Sequence, residues 1–146
     1  MSINALLILL AVWVQGAIAL TLLWIMGSIR VPLVANGKIK IAEMALSREP
    51  WPEREKRVSN AFDNQFQLPV LFFVAAGVAL FLVPSAFEVV LAWLFVLSRI
   101  AHATIHASRN NVVHRFWAYV LGFAVLIAFW LDLLVRLLVT ATHMSA

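Results

Sequence analysis

Four apolar stretches, each long enough to cross a lipid bilayer, decide what this chain can fold into. They run from about Ala5 to Ile29, from near Val58 to just before Pro84, from about Ser85 to Ala107, and from about Phe116 to Ala141. Crossing a hydrocarbon core of roughly 30 Å takes about 20 helical residues. Lipid offers the backbone no hydrogen bonds, so each stretch must satisfy its own amides and carbonyls as a helix. The sequence therefore predicts an all-α membrane protein: a bundle of four transmembrane helices forming a single domain over 1–146. Composition agrees, because 64% of the residues are hydrophobic and 12% charged, an imbalance that a water-soluble domain of this size does not tolerate. Cysteine is absent, which excludes a disulfide framework, a thiolate zinc site and a cysteine nucleophile. There is no internal repeat or low-complexity tract.

The first stretch has no basic residue before it, and its apolar run is longer than the core of a cleaved leader, so it reads as a retained helix. Seven of the eleven Lys and Arg residues lie between Arg30 and Arg57: Arg30, Lys38, Lys40, Arg48, Arg54, Lys56 and Arg57. The loop between the third and fourth helices adds Arg109 and Arg115, while the turn at Pro84 on the opposite side has no Lys or Arg. This is the pattern of membrane topology rather than of nucleic-acid binding. It predicts a bacterial inner-membrane protein with the 30–57 loop in the cytoplasm and both termini in the periplasm. Pro32, Asn36-Gly37, Pro50 and Pro52 mark that loop with breakers, and Ile39 to Leu46 reads either as a short amphipathic surface helix or as solvated loop. In the fourth helix, Asp132 and Arg136 have the i, i+4 spacing of an ion pair.

Polar side chains inside membrane helices are costly, and they are where chemistry is to be sought. Asn60, Asp63, Asn64 and Gln67 recur at i, i+3, i+4, i+7, which places them on one face of the second helix, and Pro69 should kink that helix near Gln65. Arg99, His102, His106 and Arg109 form a stripe on the third. Arg99 lies about 15 Å of helix from the following loop, near half of the ~30 Å core, where it must face the bundle. The second-helix polar face, chiefly Gln67 and also Asp63, is its expected partner, leaving Arg99, Asp63 and Asn60 as buried structural polar residues. Interhelical glue is the plainer reading of the amides. The His102–His106 spacing also suits a helical metal site, but Asp63 is the only further ligand at a suitable depth and Arg99 opposes a cation, so no metal or haem is expected.

These same residues resemble a known family. The run Arg57-Val58-Ser59-Asn60-Ala61-Phe62-Asp63-Asn64-Gln65-Phe66-Gln67-Leu68-Pro69 resembles the second-helix signature of the MAPEG family, the membrane-associated proteins in eicosanoid and glutathione metabolism: an arginine, then Asn-x-x-Glu, then a proline. Arg99-Ile100-Ala101-His102, with His106 and Arg115, is similar to the third-to-fourth-helix motif of the prostaglandin E synthase branch. Gly27-Ser28-Ile29-Arg30 is similar to the end of that branch's first helix. The resemblance covers essentially the whole chain. It implies a homotrimer with sites between neighbouring subunits, glutathione as co-substrate, and a lipophilic small-molecule substrate arriving from the membrane lipids. It further implies that Arg30, Asn64, His102, Arg115 and Tyr119 keep glutathione-binding residue types, and it puts Gln67 at a binding position whose residue type has changed. Arg115 would be the cation that stabilises the thiolate, and His106 would hydrogen-bond to the sulfur or the leaving group.

Four departures bear on activity. Gln67 stands where the family has a glutamate, Asp63 where the prostaglandin branch has an arginine, His106 where it has a tyrosine, and Phe116 where it has a small hydroxyl residue. The sequence therefore supports two readings. One is a glutathione-dependent transferase or peroxidase acting on lipophilic electrophiles, with Phe62, Phe66 and Phe116 lining access for the second substrate. The other is a non-catalytic relative that binds a lipid or a partner helix in a degenerate site. A transporter is disfavoured by the lack of inverted repeats and of a continuous polar track.

Overall fold

The computed structural model describes residues 1–40, 42 and 48–144, so most of the Ile39–Leu46 segment lies outside the described residues. Among the described residues five α-helices make four spans: α1 (Ile3–Ala35), α2 (Glu53–Asp63) continuing through a tight turn at Asn64–Phe66 into α3 (Leu68–Phe81), α4 (Ala86–Ala107) and α5 (Val112–Met144). All four spans are long and apolar enough to cross a membrane, which makes this a multi-pass integral membrane protein.

Helix α4 runs closest to the length of its apolar stretch. Ser85 caps its first turn: its Oγ accepts from the Glu88 amide at 3.3 Å while Glu88 Oε2 accepts from the Ser85 amide at 2.6 Å. The other spans outrun their apolar cores. Helix α1 continues through Pro32 to Ala35, although the proline forfeits its bond to the preceding turn and crowds the carbonyl four residues back. It ends where Gly37 takes φ +68° and donates to the Val34 carbonyl at 2.9 Å, a left-handed closure open to glycine. Arg30 therefore sits inside α1 rather than opening a loop. Helix α2 starts at Glu53, five residues before the apolar run, and buries Glu55 completely. Helix α5 extends to Val112 and Met144.

Helix α4 is the central element, in contact with α1, α2, α3 and α5. Toward the end of the bundle that holds Ser85, Ile8, Phe72, Phe95 and Phe129 pack into one apolar core, with the Phe72 and Phe95 rings stacked 4.8 Å apart. Toward the basic end, Leu22, Met26, Val58, Ala61 and Ala103 form a second. Leu20, Trp24, Phe81, Leu97 and Leu131 point outward, which is the arrangement lipid favours.

The α3–α4 turn is held by a group whose partner differs from the sequence expectation. Arg136 does not pair with Asp132. Its Nη1 reaches both carboxylate oxygens of the completely buried Glu88 at 2.6 Å, and Nη2 donates to the carbonyls of Leu82 at 2.8 Å and Val83 at 3.0 Å. Glu88 wins because it is already buried and oriented by its capping role, whereas Asp132 lies along the same helix as Arg136. Val83 has φ +63°, a strained value for a β-branched residue, and the Arg136 bond to its carbonyl holds it there.

Candidate functional site

The site starts where the second span breaks. Pro69 has no amide to offer the preceding turn, so the helix tightens at Asn64–Phe66 and Gln67 leaves helical geometry at φ −106°, ψ −106°. Neighbouring side chains collect the groups this releases. Gln65 is buried, donating to the Ala61 carbonyl at 3.0 Å and accepting from Gln15 of α1 at 3.0 Å. Arg99 of α4, completely buried, donates from Nη2 to the Asn64 carbonyl at 3.4 Å. The break also rotates the face read from an unbroken helix: Gln67 is exposed and Gln65 takes the inward position.

Arg99 thus faces the bundle as its depth required, but Gln67 and Asp63 are not its partners. Its Nη2 also lies 3.4 Å from His102 Nδ1, and its guanidinium sits 5.7 Å from the centre of the Tyr119 ring. Main-chain oxygens freed by the break are nearer than either side chain. Asp63 and Asn60 are exposed rather than buried, and both bind Arg48, at 2.8 Å and 3.1 Å.

Beside Arg99, a cavity of about 240 Å³ opens between the break, α4 and α5. Asn64, His102, His106, Arg115 and Tyr119 line it, with Val112 and Phe116 on its apolar side. Residues spread over 55 positions of sequence meet there because the polar face of α4 looks across at both the break and the first turns of α5. The His102 and His106 rings stack 5.7 Å apart, and Tyr119 lies 5.8 Å from His102. Close approach of α5 depends on Gly122, where a Cβ would come within 2.5 Å of Ser98 Oγ.

Hydrogen bonding fixes how the two imidazoles present themselves. Arg99 can only donate, so His102 Nδ1 accepts and its proton resides on Nε2. The Arg57 carbonyl can only accept, so His106 Nδ1 donates to it at 3.2 Å, and in the neutral ring Nε2 is left as an acceptor. Arg115 is held by Asn110, whose Oδ1 accepts from Nη1 at 2.6 Å. Asn110 itself has φ +51°, a left-handed position that asparagine tolerates, and its amide closes the α4 end on the Ile105 carbonyl at 2.8 Å.

The cavity thus combines one aimed guanidinium, a second just behind it, two histidines, a phenol and an amide, and among the described residues no carboxylate lines it. Such a lining suits an anionic ligand. Among the described residues no group of three or more potential metal ligands occurs. Compared with known protein families, the chain matches the MAPEG family over residues 5–135. It belongs to that family. No match is found among the curated proteins or the solved structures compared with it.

Not every position expected of a MAPEG site gathers here. Arg30 is engaged elsewhere: Nε donates to the buried Glu55 at 2.7 Å, Nη2 lies 3.4 Å from Ser59 Oγ, and the guanidinium stacks 5.0 Å from the Trp51 ring centre. Gln67 does not line the cavity. Sequence reasoning missed Gln15, Gln65, Glu55 and Asn110. Gln15 carried a usable signal, being the only Asn, Gln or charged residue between Asn4 and Arg30.

Proposed function

We propose that this MAPEG protein is a membrane-bound glutathione-dependent transferase or peroxidase acting on lipophilic electrophiles by thiolate stabilisation. The observation that carries the reading is the cavity in which Arg115 meets His102, His106, Asn64 and Tyr119, with no carboxylate lining it among the described residues. Glutathione brings two carboxylates and a thiol, and this donor set fits them. Bound glutathione supplies the nucleophilic sulfur. Arg115, aimed by Asn110, stabilises negative charge on it. His106 accepts the thiol proton at Nε2, and His102, whose Nε2 carries a proton, donates a hydrogen bond to an anionic group. Asn64 and Tyr119 orient the tripeptide. Phe116, half exposed at the cavity's edge, and the Phe62–Phe66 pair offer the lipophilic substrate an apolar approach from the bilayer.

Assembly belongs to the same proposal. A cavity of about 240 Å³ is smaller than the ~300–1,000 Å³ usual for small-molecule sites, so it reads as part of a site completed by a neighbour. Asn60, Asp63 and Gln67 are exposed along a membrane span, and covering them favours association. A homotrimer with α2 near the threefold axis meets both demands and lets Arg30 serve a neighbouring subunit's site. The charge asymmetry supports an inner-membrane orientation with both termini periplasmic.

A second reading, a non-catalytic relative with a degenerate site, is favoured by the Arg30–Glu55 pair and by the outward Gln67. Glutathione-dependent conjugation of 1-chloro-2,4-dinitrobenzene by the purified protein separates the two. The enzyme reading expects activity that Arg115→Ala removes, and a wild-type protein that binds glutathione without conjugating supports the second.

A further inference from the structure

On the other flank of α4 lies a larger groove of about 500 Å³, separate from the histidine cavity. Its walls are α1 from Val14 to Ile25, α4 from Ile100 to Ser108, and the first turns of α2 at Arg54 and Val58. Along α1 it runs from Val14 to Ile25, twelve residues or ~16 Å, about half of a ~30 Å hydrocarbon core. Its mid-membrane end is built from Val14, Ala17, Ile18 and Ile100. Thr21 lies midway along the α1 wall, and the other polar side chains gather toward the opposite end, where α4 finishes and α2 begins: Arg54, Thr104 and Ser108. That end belongs to the basic side of the bundle.

The charges around Arg54 single it out. Glu53 lies 3.9 Å from Lys56, and Glu55 is bound by Arg30 at 2.6 Å. Arg54 has no ion-pair or hydrogen-bond partner among the described residues, and it is exposed at the mouth of the groove. The first turn of α2, to which Arg54 belongs, receives no side-chain cap from Pro52.

An apolar trough one leaflet deep, ending at an unpaired guanidinium, has the form of a phospholipid with a negative headgroup. We propose that this groove is a binding site for an anionic phospholipid, with an acyl chain lying along α1 and α4 and the phosphate against Arg54. Charge complementarity sets the orientation, since the tail end has no polar partner for a headgroup. A helix from another copy of the chain would fill the apolar length but leave Arg54 unanswered.

The test is native mass spectrometry of the full chain released from nanodiscs of equal phosphatidylglycerol and phosphatidylcholine, counting retained lipids. Wild type should retain phosphatidylglycerol preferentially. Arg54→Ala should reduce that preference about fivefold, the weight of one basic side chain at an anionic surface. Thr104→Phe, which fills the groove from an exposed position, should reduce retention of both lipids while thermal stability is kept; Ala107→Leu is the gentler variant should that protein not fold. Equal retention of the two lipids by wild type, or an unchanged preference in Arg54→Ala, would overturn the proposal. So would dissociation of the oligomer by Thr104→Phe without lipid loss, which would make the groove a seam between subunits.

Discussion

Arg99 and His102 are hydrogen-bonded inside the bundle, Nη2 to Nδ1 at 3.4 Å, and among the described residues no carboxylate pairs with the arginine. That relationship links the helix break to the cavity. The same Nη2 holds the Asn64 carbonyl exposed by the break, while the bond to His102 sets which ring nitrogen carries the proton. Arg99 is therefore a positioning residue as well as a structural one.

Arg99→Leu removes the cost of a buried charge but leaves the Asn64 carbonyl and His102 Nδ1 without their donor. Each unsatisfied group costs about 1–3 kcal/mol, so the variant should fold with a lowered thermal midpoint. Arg99→Glu places a carboxylate beside a carbonyl and should be far less stable. The ordering is read from thermal unfolding in detergent. Equal midpoints for the two variants would remove Arg99 from this role.

At the other end of the bundle, Arg136→Leu strands Glu88, which is completely buried. Breaking such a pair costs on the order of 3–5 kcal/mol. Arg136→Lys keeps a charge but gives up the fork that also reaches Leu82 and Val83, and it should fall between. Val83→Gly relieves the left-handed strain and should stabilise by about 1 kcal/mol. The three variants are compared by denaturant or thermal unfolding.

The contrast between these two arginines shows what was legible in the sequence. Span number, the inward direction of Arg99, and the gathering of Asn64 with His102, His106, Arg115 and Tyr119 followed from apolar run length, helical spacing and family resemblance. Partners did not follow. Pro69 gives notice of a distortion, but the face read through Gln67 assumed continuous helix, and a break of three residues swaps Gln67 for Gln65. Arg136 chose a carboxylate on another helix, which no spacing within α5 could reveal. Arg30 moved from loop to helix because α1 runs on through Pro32.

Gly122 sets the separation of α4 and α5 beside Arg99. Gly122→Ala should destabilise by about 1–3 kcal/mol, since Ser98 Oγ lies in the way and is held to the Phe95 carbonyl at 2.6 Å. Adding Ser98→Ala removes the obstructing oxygen and should recover most of the loss. A double-mutant cycle showing no coupling would contradict the packing.

For the proposed chemistry, Arg115→Ala should lower conjugation roughly a hundred- to thousandfold. His106→Ala should lower it about a hundredfold or more through loss of the proton acceptor. Asn110→Ala should act through Arg115, with a smaller fall in rate and none beyond that of Arg115→Ala when the two are combined. Steady-state rates of the three variants and the double variant check this, and a multiplicative double-variant loss would separate Asn110 from Arg115.

The central claim is that the cavity between the broken helix and α5 binds a thiol-bearing anion. Calorimetric titration of the detergent-solubilised protein with glutathione tests it most directly, with Arg115→Ala as comparison. Saturable binding is expected at millimolar concentration or below, weakened in Arg115→Ala and retained in Arg54→Ala. An absence of binding at millimolar glutathione, or equal binding by wild type and Arg115→Ala, would contradict it.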